Sequence, residues 1–120
     1  MSREGWARYA LERYLKLKRW MDYRGVIVKA CRDTLGGKCL RVYVVGGAAE
    51  DRLTVLSDID VVVVVDDPSC KSLDNIVAIK GRAEELGLPV DVQLDVKIST
   101  EEEFKQLIDR GMYRMVMEIS

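Results

Sequence analysis

The run Val61-Val62-Val63-Val64-Val65 constrains this chain more than any other feature. Five consecutive β-branched residues stiffen the backbone toward extended geometry and leave no polar face. The segment therefore reads as a strand buried on both sides. Directly ahead of it stands Ser57-Asp58-Ile59-Asp60. If the strand starts at Asp58, the i, i+2 spacing sends both carboxylates to one side. The alternative is a solvated turn, but Ile59 between the acids keeps the alternation of a strand. Two like charges at the mouth of a buried strand repel each other and are poorly solvated. A divalent cation relieves both penalties, and Mg²⁺ prefers hard carboxylate oxygens.

A second apolar run, Val42–Val45, stops at Gly46-Gly47. A glycine pair after a strand lets the backbone turn tightly and bring N–H groups close to a phosphate chain. Alone it is more often a plain loop. Residues 48–56 then lead back toward Asp58, and a short helix is expected there, its N-terminus favouring an anion.

Two small residues, ten intervening residues and Asp-x-Asp form the signature of the DNA polymerase beta-like nucleotidyltransferase superfamily. The chain resembles it at Gly46-Gly47, residues 48–57 and Asp58-Ile59-Asp60, with Ser57 matching the Ser that usually precedes the acids. Within that superfamily it resembles the minimal nucleotidyltransferases over residues 38–110. The resemblance implies an α/β nucleotidyltransferase (polymerase beta-like) fold, with a mixed, twisted sheet of three to five strands and helices packed chiefly on one face. It implies transfer of AMP from ATP to a hydroxyl, with Gly46, Gly47 and Ser57 at the nucleotide. Asp58, Asp60 and a third carboxylate would hold two Mg²⁺ ions, or Mn²⁺ in their place. It further implies a helical HEPN-type toxin partner, modified on a tyrosine, with this chain as the antitoxin. Two positions depart from the family pattern: Gly47 replaces a usual Ser, and Glu50 replaces a frequent Arg. Both favour the competing expectation of a non-catalytic module that neutralises its partner by docking.

Residues 90–98 alternate strictly, with Val92, Leu94, Val96 and Ile98 on one face and Asp91, Gln93, Asp95 and Lys97 on the other. An amphipathic strand with one solvated face explains Asp91. For Asp95 the resemblance implies a role as third ligand, because family members carry an acid on this strand shortly before a helix start such as Thr100-Glu101-Glu102-Glu103.

The chain has no histidine, which removes His-based acid–base catalysis, Ser-His-Asp triads and His-ligated zinc. Cys31, Cys39 and Cys70 lack metal-ligand spacing and read as reduced thiols of a cytoplasmic protein. No apolar run is long enough to span a bilayer, so no membrane is expected. At 120 residues a single domain is expected, with a basic helical segment over 1–37 and the catalytic core over 38–110. Residues 1–41 carry eleven Lys or Arg against four acids, while 42–120 carry eight against sixteen. The net charge of −1 argues against nucleic acid as the partner. Homo- or hetero-oligomers are compatible with the sequence.

The basic segment is expected to be helical over 5–35, broken near Gly25 and ended by Gly36-Gly37, with one face on the sheet. Pro68 ends the valine strand and a helix follows over 69–86. Thr100 and Glu103 form a capping box for a helix reaching Arg110. Met112–Ile119 reads equally as strand, helix or docking tail.

Overall fold

A computed structural model describes residues 3–120. Two helices, α1 (Arg3–Lys18) and α2 (Arg24–Leu35), precede β1 (Cys39–Val45) and a single helical turn, α3 (Gly46–Ala49). Then follow β2 (Ile59–Val65), α4 (Leu73–Glu85), β3 (Leu94–Thr100), α5 (Glu101–Asp109) and a short β4 (Val116–Glu118). The four strands form one mixed sheet in the order β3-β2-β1-β4. β2 and β3 are parallel, whereas β1 is antiparallel to both β2 and β4. Parallel neighbours need a crossover, and α4 supplies it.

The valine run becomes the strand expected of it. None of Val61–Val65 is more than 1% exposed. Val61, Val63 and Val65 face the main core, with Ile27 and Cys31 of α2 and Ile79 and Ala83 of α4. Val62 and Val64 face the other way, against Val45 and Phe104 of α5. Phe104 also meets Tyr43 at 4.7 Å between ring centroids. Among the described residues, helices thus lie mainly on one side of the sheet, with α5 packed on the second.

Local signals explain most boundaries. The Thr100–Glu103 capping box is present, each side chain reaching the other's backbone N–H. Gly36 takes φ +61 and closes α2. The helix expected over 69–86 starts later, at Leu73, because the Ser72 side chain accepts the Asn75 N–H at 3.1 Å and caps it there. Asp67 accepts the Ser69 N–H and holds a separate 3₁₀ turn, Pro68–Cys70. The ambiguous tail resolves into β4, paired with β1 from Tyr43 to Val45.

Four further expectations are corrected. The break between the first two helices falls at the 3₁₀ turn Trp20–Tyr23, and Gly25 lies inside α2. The chain turns there to bury Trp20, which is 5% exposed. The strand expected from Val90 begins only at Leu94, since Val92 N–H bonds Pro89 O in a turn. Instead of a helix within 48–56 there is a single turn starting at Gly46. Finally, α1 does not cover the sheet. Leu17 is its one buried residue, while Trp6, Leu11 and Leu15 are each more than half exposed. Trp6, Ala10, Tyr14 and Leu17 share one face, but Leu11 and Leu15 stand on another, and Arg13 interrupts the first.

Cys31 and Cys39 are buried and unpaired in disulfides, as is Cys70. Burial pushes the Cys31 thiol up to about 12, with Cys39 adding a smaller repulsion. An unfolded thiol ionises near 9.0, so the stabilisation is complete below that pH and disappears as pH rises toward 12. Cys31→Ala should be less stable than the parent at pH 8. The gap should narrow by about 1.4 kcal/mol per pH unit above about 9, measured by urea unfolding. A gap constant to pH 11 would contradict the assigned burial.

Candidate active site

The C-terminal end of β1, the start of β2 and the start of β3 meet at one edge of the sheet. Register brings their chemistry together: Val45 lies opposite Asp60, and Asp60 lies opposite Asp95. Asp60 and Asp95 sit on adjacent parallel strands and therefore project to the same face. Burial raises the Asp60 carboxyl above the usual range, and the charges of Asp95 and then Asp58 raise it further. Like charges in such a position are a cost to the fold.

Gly46 closes the arrangement from the side of β1. It takes φ +66, a conformation side-chain-bearing residues rarely adopt. A Cβ at this position would collide with Oδ2 of Asp60. The backbone of the glycine turn is therefore in direct contact with the carboxylate. Gly47 differs: a Cβ there would meet Arg52 O at 3.5 Å, an ordinary contact. The steric requirement for glycine rests on Gly46.

Asp58 lies one residue ahead of β2 rather than inside it. Its carboxylate is about half exposed and turned to Arg13 of α1, with Nη2–Oδ1 3.4 Å. The same guanidinium donates to Val55 O at 2.6 Å and Ser57 O at 3.0 Å. Ser57 serves the turn as well, its Oγ accepting the Thr54 N–H at 2.9 Å. Glu50, the acid at the unusual position, is paired with Arg52 at 3.0 Å. Asp91 lies outside β3 and pairs with Lys16 at 3.1 Å. Asp95 thus shares a face with Asp60, and Asp91 binds α1.

Among the described residues no three acidic or thiol side chains already converge on one point. The donor set nonetheless suits a hard cation: Asp60 is flanked by two further carboxylates whose repulsion an ion would remove. Asp58 is the one of the three turned to Arg13, through Oδ1.

A cavity of 510 Å³ opens beside the acids, lined by Asp60, Asp95, Lys71, Lys97, Leu73 and Ile76 among others. That volume is in the range of small-molecule sites. Lys71 is engaged by Glu103 of α5. Tyr113 lies near the carboxylates too: its hydroxyl is raised by burial and then by the charges of Asp60 and Asp95. Sequence reasoning missed Arg13, Lys71, Lys97 and Tyr113. Only Lys97 carried a signal, the strand alternation that places it on the polar face with Asp95.

Acids at the heads of parallel neighbours, with a glycine turn pressed against one of them, place the protein among α/β domains with a polar cluster at the strand ends. Residues 26–118 match the nucleotidyltransferase domain family, and the chain belongs to that family. Its membership assigns a general role in nucleotidyl transfer. A nucleotidyltransferase structure from Sulfolobus solfataricus, whose own assignment is provisional, shares the fold. It aligns with TM-score 0.52 and 14% identity over 91% of this chain and 84% of that one. A second such structure, at TM-score 0.49 and 18% identity over 78% of this chain and 94% of that one, is too distant to add to the argument. Comparison with curated proteins gives no significant match. The fold expected from the resemblance is the fold observed. Among the described residues, no helix is long and apolar enough to cross a membrane.

Proposed function

We propose that the protein is a metal-dependent nucleotidyltransferase that moves AMP from ATP to a hydroxyl on a helical protein partner. The observation that carries this reading is the alignment of Asp60 with Asp95, beside a turn that only glycine fits. Two Mg²⁺ ions held by Asp58, Asp60 and Asp95 would neutralise the triphosphate, stabilise departing pyrophosphate and acidify the acceptor hydroxyl. Gly46 and Gly47 would bring backbone donors to the β- and γ-phosphates, with Ser57 shaping the turn behind them. In the reaction the acceptor oxygen bonds to the α-phosphorus as the bond to pyrophosphate breaks in line. The hydroxyl proton, acidified at the metal site, would leave to water.

The resemblance to minimal nucleotidyltransferases supports a tyrosine of a HEPN-type toxin as acceptor, with this chain as antitoxin. A second reading, a module that neutralises its partner by binding alone, draws on the Arg13–Asp58 pair, which leaves one carboxylate engaged elsewhere.

ATP should bind only with Mg²⁺ or Mn²⁺, because bare triphosphate meets Asp58, Asp60 and Asp95 as like charges. Calorimetry with excess chelator should show at least about tenfold weaker binding. Labelled ATP with a HEPN partner should label that partner, and the Asp58→Ala Asp60→Ala variant should not. Metal-independent affinity removes the cation site. Equal neutralisation by the double variant, with no mass added to the partner, establishes the docking module instead.

A further inference from the structure

The residues that match the family begin at 26, so α1 lies outside the matched segment. One side chain of α1 nevertheless reaches the site. Arg13 is only 13% exposed at its side chain, although α1 is otherwise largely solvated. Its guanidinium holds two carbonyls of the 50–58 connection, those of Val55 and Ser57, together with the Asp58 carboxylate. The planar fork of arginine suits three acceptors at once, which a lysine ammonium matches less well. Trp6, Tyr9 and Ala10 line a small hollow with Val55 and Leu56, so helix and connection meet along one seam.

We infer that Arg13 is a positioning residue of the site: it holds Asp58 as an internal counterion, and a divalent cation must displace it to complete the carboxylate set. This rests on the cation-binding role proposed above. Asp60 and Asp95 already share a face, whereas Asp58 sits on Arg13. A positive charge on that carboxylate opposes an incoming cation, both by repulsion and by occupying Oδ1. At neutral pH the guanidinium is always charged, so displacement alone ends the opposition. Arg13 thereby sets the cation concentration at which Asp58 joins Asp60 and Asp95.

The test is Mn²⁺ titration of the nucleotide-free protein, followed by calorimetry or electron paramagnetic resonance. Arg13→Gln should bind Mn²⁺ about two- to fivefold more tightly than the parent, the range expected for losing a half-exposed ion pair. Arg13→Lys keeps the charge and should bind within about twofold of the parent. Hydrogen exchange over residues 53–58 should quicken in both variants, since both lose the carbonyl contacts. Arg13→Met repeats the neutral case if the glutamine variant is unstable. Unchanged or weaker Mn²⁺ binding in both neutral variants overturns the inference, as does equal tightening by lysine. A parent protein that binds no Mn²⁺ removes the cation site itself, and the inference with it.

Discussion

Gly46→Ala should weaken Mg-ATP binding at least about tenfold and lower the melting temperature by on the order of 5 °C. Two separate effects contribute. Gly46 takes φ +66, where a Cβ crowds the following carbonyl at a cost of about 1–2 kcal/mol. The new methyl would also collide with Oδ2 of Asp60. That carboxylate can rotate away, but only by leaving its place beside Asp95. Stability and binding should therefore fall together. Gly47→Ala is the control for the fold: its φ is not positive and its nearest neighbour, Arg52 O, lies 3.5 Å from the added carbon. It should melt within about 2 °C of the parent. Differential scanning calorimetry and isothermal titration with Mg-ATP give both readouts. Parent-like affinity in Gly46→Ala would show that the glycine turn does not touch the nucleotide site.

The contrast between the two glycines shows what the sequence can and cannot disclose. Gly46-Gly47 stands out as a pair, and the spacing to Asp58 and Asp60 makes it specific. Which glycine is obligatory depends on the distance to a side chain fourteen residues away, which no local pattern encodes. The valine run was legible because burial on both faces leaves a composition that only a central strand shares. The capping box was legible because it is a contact between residues three apart. Asp58 was less so: alternation placed it on the strand, but Arg13, forty-five residues earlier, draws it off. The helical spacing of Trp6, Ala10, Tyr14 and Leu17 is present in α1, but spacing does not say which surface a helix meets, and α1 buries only Leu17. Tyr113 lies between α5 and β4 with its ring 6.4 Å from that of Phe104, a contact that the even choice of strand, helix or tail for Met112–Ile119 did not disclose.

Asp95 and Asp91 separate most sharply by the sign of their stability changes. Burial, then the charges of Asp95 and Asp58, and last a hydrogen bond with Asp95 hold the Asp60 carboxyl above its usual range, and Asp95→Asn removes one of those charges. Relief of that repulsion should raise the melting temperature, by about 2–4 °C if it is worth under 1 kcal/mol. The same change should reduce nucleotidyl transfer at least about 100-fold while leaving Mg-ATP binding largely intact, because the lost carboxylate serves the acceptor side. Asp91→Asn breaks only the ion pair to Lys16 of α1, at 3.1 Å and partly in solvent. It should change stability by under about 1 kcal/mol, in the destabilising direction, and leave transfer near the parent rate. Thermal denaturation and pyrophosphate release in the presence of the partner measure both. Loss of transfer in Asp91→Asn with retention in Asp95→Asn would assign the third ligand to the turn ahead of β3. The thermal result needs no acceptor at all. A melting temperature lowered by Asp95→Asn would mean that the pair is held together by hydrogen bonding rather than strained by charge, and the case for a cation between these strands would lose its electrostatic basis.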